Sequence, residues 1–107
     1  MRQKRIETLL QFLEKDSSDP FLHYALAMEY KGLDDVEKYL EKLWYVYHNF
    51  PDYTGNYYHL AGCLAEIGNR IEADRIYQEG IEKCKLLKKD HDLSELQRAY
   101  SNFLYED

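Results

Sequence analysis

Thirty-four residues separate two copies of one pattern: Leu26-Ala27-x-x-Tyr30 returns as Leu60-Ala61-x-x-Leu64. The same offset carries Tyr24 to Tyr58, Asp35 to Asn69, Tyr39 to Ala73, Leu43 to Tyr77, Val46 to Gly80 and Tyr47 to Ile81. A slip of one residue loses the Leu-Ala match. A period of this length denotes one supersecondary unit, used repeatedly, whose apolar face is covered only by its neighbours.

Within each period the spacing is helical. Ile6, Leu9, Leu10 and Leu13 follow the i, i+3, i+4, i+7 pattern and predict a first helix that runs to about Lys15. Asp19 is expected to cap a second helix over about 20–31, with Pro20 at its first position and Gly32 at its end. Asp34, with Glu37 three residues on, reads as an acidic capping box opening helix three. That helix carries Val36, Tyr39, Leu40, Leu43, Val46 and Tyr47 and stops before Phe50-Pro51, since proline disfavours helix at the residue before it. Helix four is expected over about 53–67, closed by Gly68-Asn69. Asn69 and Glu72 repeat the cap for helix five, which runs through Ile76, Tyr77, Gly80 and Cys84. Asp92 and Glu95 repeat it once more for helix six, with Leu93, Leu96, Tyr100, Phe103 and Leu104. No run alternates apolar and polar as a strand does, so the expectation is all-α with six helices.

A chain of 107 residues suits one domain, burying roughly 65% of its unfolded surface without a covalent staple. Its two cysteines, Cys63 and Cys84, are too few for a disulfide framework, which points to a reduced, cytoplasmic setting. The basic first residues have no apolar stretch behind them, and no segment is long and apolar enough to predict a membrane span. A net charge of -6 repels phosphate backbones and argues against a nucleic-acid partner. Lys83, Lys85, Lys88 and Lys89 do form a basic stretch, but they fall where helix five ends, and cations there oppose the helix dipole favourably.

The two blocks resemble tetratricopeptide repeats, whose pattern places an aromatic, Leu, a small residue and Tyr on one helix, then Ala, an aromatic, Ala and Pro around the next. His23, Leu26, Ala27, Tyr30, Tyr39, Leu43, Val46 and Pro51 occupy those places in the first block. Tyr57, Leu60, Ala61, Leu64, Ala73, Tyr77, Gly80 and Lys85 occupy them in the second. Tyr39 and Val46 are bulky where the family is small, which should part the first helix pair slightly. Lys85 replaces the closing proline, which should lengthen helix five. The resemblance implies antiparallel hairpins stacked as a short right-handed α-solenoid. Its parts are an N-terminal capping helix over 1–16, repeats over 20–53 and 54–87, and a C-terminal capping helix over 92–105.

The resemblance also implies a binding site. The first helix of each repeat lines a concave groove that takes a peptide or a partner helix, so the residues off the packing phase on helices two, four and six are the candidates. They are Phe21, Tyr24, Met28 and Lys31; Tyr58, His59, Gly62 and Glu66; then Arg98 and Asn102. Aromatic and methionine side chains supply adaptable apolar contact, and Gly62 leaves room for a bound chain. One subclass of the family grips a carboxylate terminus with lysine, asparagine and arginine; Tyr24, Met28 and His59 stand at the matching places here, which argues against that clamp. The alternative is a homodimer through an end helix or a Trp44-Tyr45 surface, although helix one is the expected cover for Trp44.

His59 and Cys63, four apart on one helix, have metal-ligand spacing but lack evident third and fourth ligands, so no metal or cofactor is expected. Asp34-Asp35 is explained by capping, and no nucleophile or glycine-rich loop comes with a supporting motif. The expected protein is therefore a non-enzymatic adaptor or scaffold that binds a protein or peptide.

Overall fold

The computed structural model describes residues 1–106 and contains six helices, with no strand among them. They are α1 (Arg2–Lys15), α2 (Pro20–Gly32), α3 (Val36–Asn49), α4 (Gly55–Glu66), α5 (Arg70–Leu87) and α6 (Asp90–Tyr105). The chain forms two compact units, Met1–Tyr53 and the segment from Thr54 onward, so the boundary falls where the two sequence periods abut.

In the first unit α2 packs against α1 and α3. Leu26, Ala27, Leu43 and Val46 are fully buried, and Ile6 is the one buried residue of α1. Leu10, expected on the apolar stripe of α1, is 44% exposed, because the helix lays only a narrow edge on its neighbour. Arg2 and Arg5 reach Glu29 of α2 at 3.3 and 3.0 Å and tie the outer faces of the two helices. Asp19 accepts the Phe21 amide at 2.9 Å with Pro20 at the helix start, as the sequence predicts. His23 is buried, with Nε2 2.9 Å from the Ser17 carbonyl oxygen and its ring 4.5 Å from Tyr45 and 5.7 Å from Phe50. It thus joins the loop before α2 to the end of α3.

In the second unit α5 packs against α4 and α6, and α4 meets α6 directly. Leu60, Ala61, Ala73, Ile76 and Cys84 are fully buried. Gly80 is where the three helices approach most tightly: a Cβ there would sit 2.6 Å from both Leu96 Cδ2 and Tyr57 Cβ. Arg70 of α5 donates through Nη2 to the carbonyl oxygens of Phe103 and Glu106, at 2.9 and 3.3 Å, with its guanidinium 4.1 Å from the Phe103 ring centroid.

Two caps differ from expectation. Helix three is capped by Asp35, whose carboxylate accepts the Lys38 amide at 3.1 Å; Asp34 lies one residue outside, at φ 58. The reason is the end of α2. Its last carbonyls are satisfied by Asp34 N–H to Lys31 and Asp35 N–H to Tyr30, a Schellman turn that needs a left-handed residue at position 34. The second block repeats this geometry with Gly68 at φ 88, bonded to Ala65, and Asn69 bonded to Leu64, after which Asn69 caps α5. Helix six begins at Asp90, with Lys89 before it and no side-chain cap; Asp92 lies inside the first turn and its carboxylate is engaged elsewhere.

With Lys85 where the first block has Pro51, α5 has 18 residues against 14 for α3 and closes in a Schellman turn with Lys88 at φ 58. α6 nevertheless starts in step with the repeat, at Asp90, as α4 does at Gly55 and α2 at Pro20.

Candidate functional site

The second unit holds a concave cavity of about 380 Å³ between α4 and α6. From α4 come Tyr58, Gly62, Ala65 and Glu66, at i, i+4, i+7 and i+8, one face of a helix. From α6 come Glu95, Arg98, Ala99 and Asn102, again one face, and Glu106 joins them from the extended residue just past its end. Tyr77 and Phe103 complete the wall; both are at most 5% exposed, and their rings lie 5.3 Å apart. A Cβ at Gly62 would meet nothing within 4 Å, so the missing side chain opens the space.

Five candidates of the sequence reading therefore meet here: Tyr58, Gly62, Glu66, Arg98 and Asn102. His59 does not line the cavity; its half-buried ring stands edge-on to Tyr58 at 5.2 Å and supports it from the side. The other four belong to the first unit, on α2. Phe21 is 57% exposed, Tyr24 is half-buried with its ring 5.4 Å from Tyr53, Met28 is half-buried, and Lys31 holds its ammonium 5.7 Å from the Tyr39 ring centroid.

The sequence reading does not include Glu95 and Ala99, although both are in phase with Arg98 and Asn102 on α6, nor Glu106, which lies just past the helix, where phase gives no signal. Tyr77 and Phe103 were read as packing residues. They are, and they also present ring surface to the cavity, a double role that periodicity does not reveal.

The cavity is electrostatically uneven. Glu66, Glu95 and Glu106 contribute three carboxylates against the single guanidinium of Arg98, and none of these four side chains forms an ion pair among the described residues. The Tyr77 hydroxyl registers that field. Burial pushes its pKa up, and Tyr58, Glu106 and Glu66 push it further in the same direction.

Outside the cavity, the expected Trp44-Tyr45 surface is not one patch. Trp44 is half-buried, and its ring stacks on His48 at 5.6 Å and meets Tyr47 edge-on at 5.4 Å. Tyr45 turns instead to His23 and Phe50, with the Lys42 ammonium 5.4 Å from its ring centroid. Among the described residues no three His, Cys, Asp or Glu side chains converge as metal ligands, and no helix is long and apolar enough to cross a membrane.

An all-α fold of helices packed against their neighbours in chain order is that of a helical-repeat interaction module. Solved structures define the class further. The chain is similar to a tetratricopeptide repeat domain protein of Salinibacter ruber, whose crystal structure superposes with a TM-score of 0.79 at 34% identity, over 83% of this chain and 99% of that one. A solution NMR structure of a tetratricopeptide repeat domain protein from the same organism gives 0.77 at 35% identity, over 82% and 89%. The crystal structure of MamA, at 18% identity and a TM-score of 0.65 over 92% of this chain and 64% of that one, shares the fold. The chain belongs to the tetratricopeptide repeat family. No family model and no curated protein matches the sequence.

Proposed function

We propose that this protein is a non-enzymatic adaptor that binds an extended peptide or a helix of a partner protein, with the α4/α6 cavity as the principal contact. One observation carries the reading: Gly62 opens space on the helix face that Tyr58, Glu66, Arg98 and Asn102 surround. At about 380 Å³ the cavity is near the small end for ligand sites, suited to one anchoring side chain rather than a whole metabolite. Rigid aromatic anchors beside adaptable polar groups are the composition that interface hot spots favour. On α2, Phe21, Tyr24, Met28 and Lys31 offer a second contact face for the same class of ligand.

Selection of random peptides displayed on phage, run in parallel on the wild type and on Gly62→Trp, tests this. Tryptophan fills the cavity without stressing α4, because the glycine faces open space and is itself a poor helix former. Peptides enriched on the wild type and not on the filled variant are the expected result. Equal enrichment on both, with unchanged circular dichroism, removes the cavity from the binding site.

A homodimer through an end helix is the second reading. It is favoured by α6, where Leu104 is 56% and Tyr105 85% exposed, and by α1, where Phe12 is 51% exposed. Light scattering over a concentration series decides it, since a strict monomer excludes the dimer.

A further inference from the structure

We propose that the α4/α6 cavity recognises a basic side chain, arginine or lysine, on the partner polypeptide. This rests on the cavity being the peptide site, and goes beyond that reading in naming the residue that anchors the peptide.

The argument is one of complementarity between a long amphipathic side chain and the walls that would hold it. Arginine and lysine bury an aliphatic stem while keeping the charged head near water. The cavity offers both surfaces. Tyr58, Tyr77, Ala65, Ala99 and Phe103 give apolar and aromatic wall along which a stem lies, and Gly62 removes the side chain that would obstruct it. Glu66, Glu95 and Glu106 supply acceptors for the head.

Charge selects among possible anchors. Among the lining residues three carboxylates face the one guanidinium of Arg98, and with Arg70 counted beside Phe103 the balance is still negative, in a chain whose net charge is -6. An acidic anchor is repelled by that field, and a neutral one leaves it unanswered. Arg70 keeps its charge beside the cavity, but directs its donors to the Phe103 and Glu106 carbonyl oxygens and its guanidinium to the Phe103 ring, and forms no ion pair with these carboxylates among the described residues. The Tyr77 pKa is raised first by burial, then by Tyr58, Glu106 and Glu66, in keeping with both carboxylates lining the same space. Aromatic faces add attraction for a cation and none for a carboxylate.

NMR titration of the full chain tests this with three tripeptides: acetyl-Ala-Arg-Ala-amide, its citrulline isostere and its glutamate counterpart. The arginine peptide is expected to shift the amides of Gly62, Ala65, Ala99 and Asn102, and to bind at least about threefold more tightly than citrulline, the advantage shrinking as salt is added. Glu66→Gln combined with Glu106→Gln should abolish that preference, while Glu7→Gln combined with Glu37→Gln, which removes equal charge far along the chain, should preserve it. Citrulline or glutamate binding as tightly as arginine at these amides overturns the inference and leaves the cavity as a peptide site. Shifts confined to other residues, or no shift with any peptide, overturn it as well. Whether the cavity binds peptides at all is read separately, from the phage selection.

Discussion

The Thr54 hydroxyl donates to the Asp92 carboxylate at 2.6 Å, across 38 positions of sequence, and so fastens the start of α4 to the first turn of α6. Thr54 stands at the N-cap of α4 yet accepts no cap hydrogen bond: its backbone is helical there, at φ -67 and ψ -26, rather than extended as a capping residue's is. The bond is partly buried and its acceptor is charged, conditions under which hydrogen bonds contribute most. Thr54→Val, which keeps the shape and removes the donor, should destabilise the protein by about 1–2 kcal/mol. A double-mutant cycle with Asp92→Ala, followed by urea denaturation, should return a coupling of about 1 kcal/mol; additive losses would show that the contact contributes nothing.

Two glycines inside helices should respond oppositely to alanine. At Gly80 the new methyl collides with Tyr57 Cβ, an atom too close to the backbone to move away, so Gly80→Ala should cost about 1–3 kcal/mol despite alanine's better helix propensity. At Gly62 nothing is met, and Gly62→Ala should stabilise by about 1 kcal/mol. Thermal melts of the two variants give the comparison, and equal signs would contradict the packing described.

The neighbours Asp34 and Asp35 have different duties. Asp35→Ala removes a cap and should cost about 1 kcal/mol. Asp34→Gly relieves a left-handed residue and should be neutral or stabilising by about 0.5 kcal/mol, as at Gly68 in the second block. If Asp34 were the cap, the order of the two effects in denaturation would be reversed.

Alkaline pH should unfold this protein progressively. Burial raises the pKa of the Cys84 thiol, aided by the Asp92 charge and opposed by a hydrogen bond with Thr54. Burial likewise raises Tyr77, and donation to Asp74 at 2.5 Å raises Tyr100. Each is an acid that holds its proton more tightly folded than unfolded. Its contribution is therefore complete below the ordinary value, 9.0 for the thiol and 10.0 for the phenols, and is lost as pH rises through the folded value. The melting temperature should hold steady up to about pH 8.5 and fall above it. Tyr100→Phe should lower stability at neutral pH and make the alkaline fall shallower; an unchanged slope would show that Tyr100 is not linked to folding.

The sequence by itself determined the helices and their family. Leu26, Ala27, Leu60, Ala61 and Ala73 recur because stacked helices need apolar or small residues at set angles, and Pro20, Pro51 and Gly68 act on the backbone within a turn of where they stand. Signals of that range are written locally and survive without coordinates. The same locality explains where the reading slipped by one residue: Asp34 and Asp35 are chemically identical, and only the closing hydrogen bonds of α2 decide which takes the left-handed conformation and which caps α3. Asp92 resembled a cap by composition, but α6 starts at Asp90, in step with the starts of α2 and α4, and the Asp92 carboxylate accepts from Thr54 instead.

Half of the cavity was legible as helix phase, through Tyr58, Gly62, Glu66, Arg98 and Asn102. What tertiary structure decided was their assembly: the packing of α4 and α6 on α5 gathers these residues with Glu95, Glu106, Tyr77 and Phe103 around one space, and leaves His59 beside it. Helical phase states which side of a helix a residue occupies, whereas a cavity is defined by which two sides face each other. That second relation depends on close approaches such as Gly80 against Tyr57 and Leu96, between residues far apart in the chain.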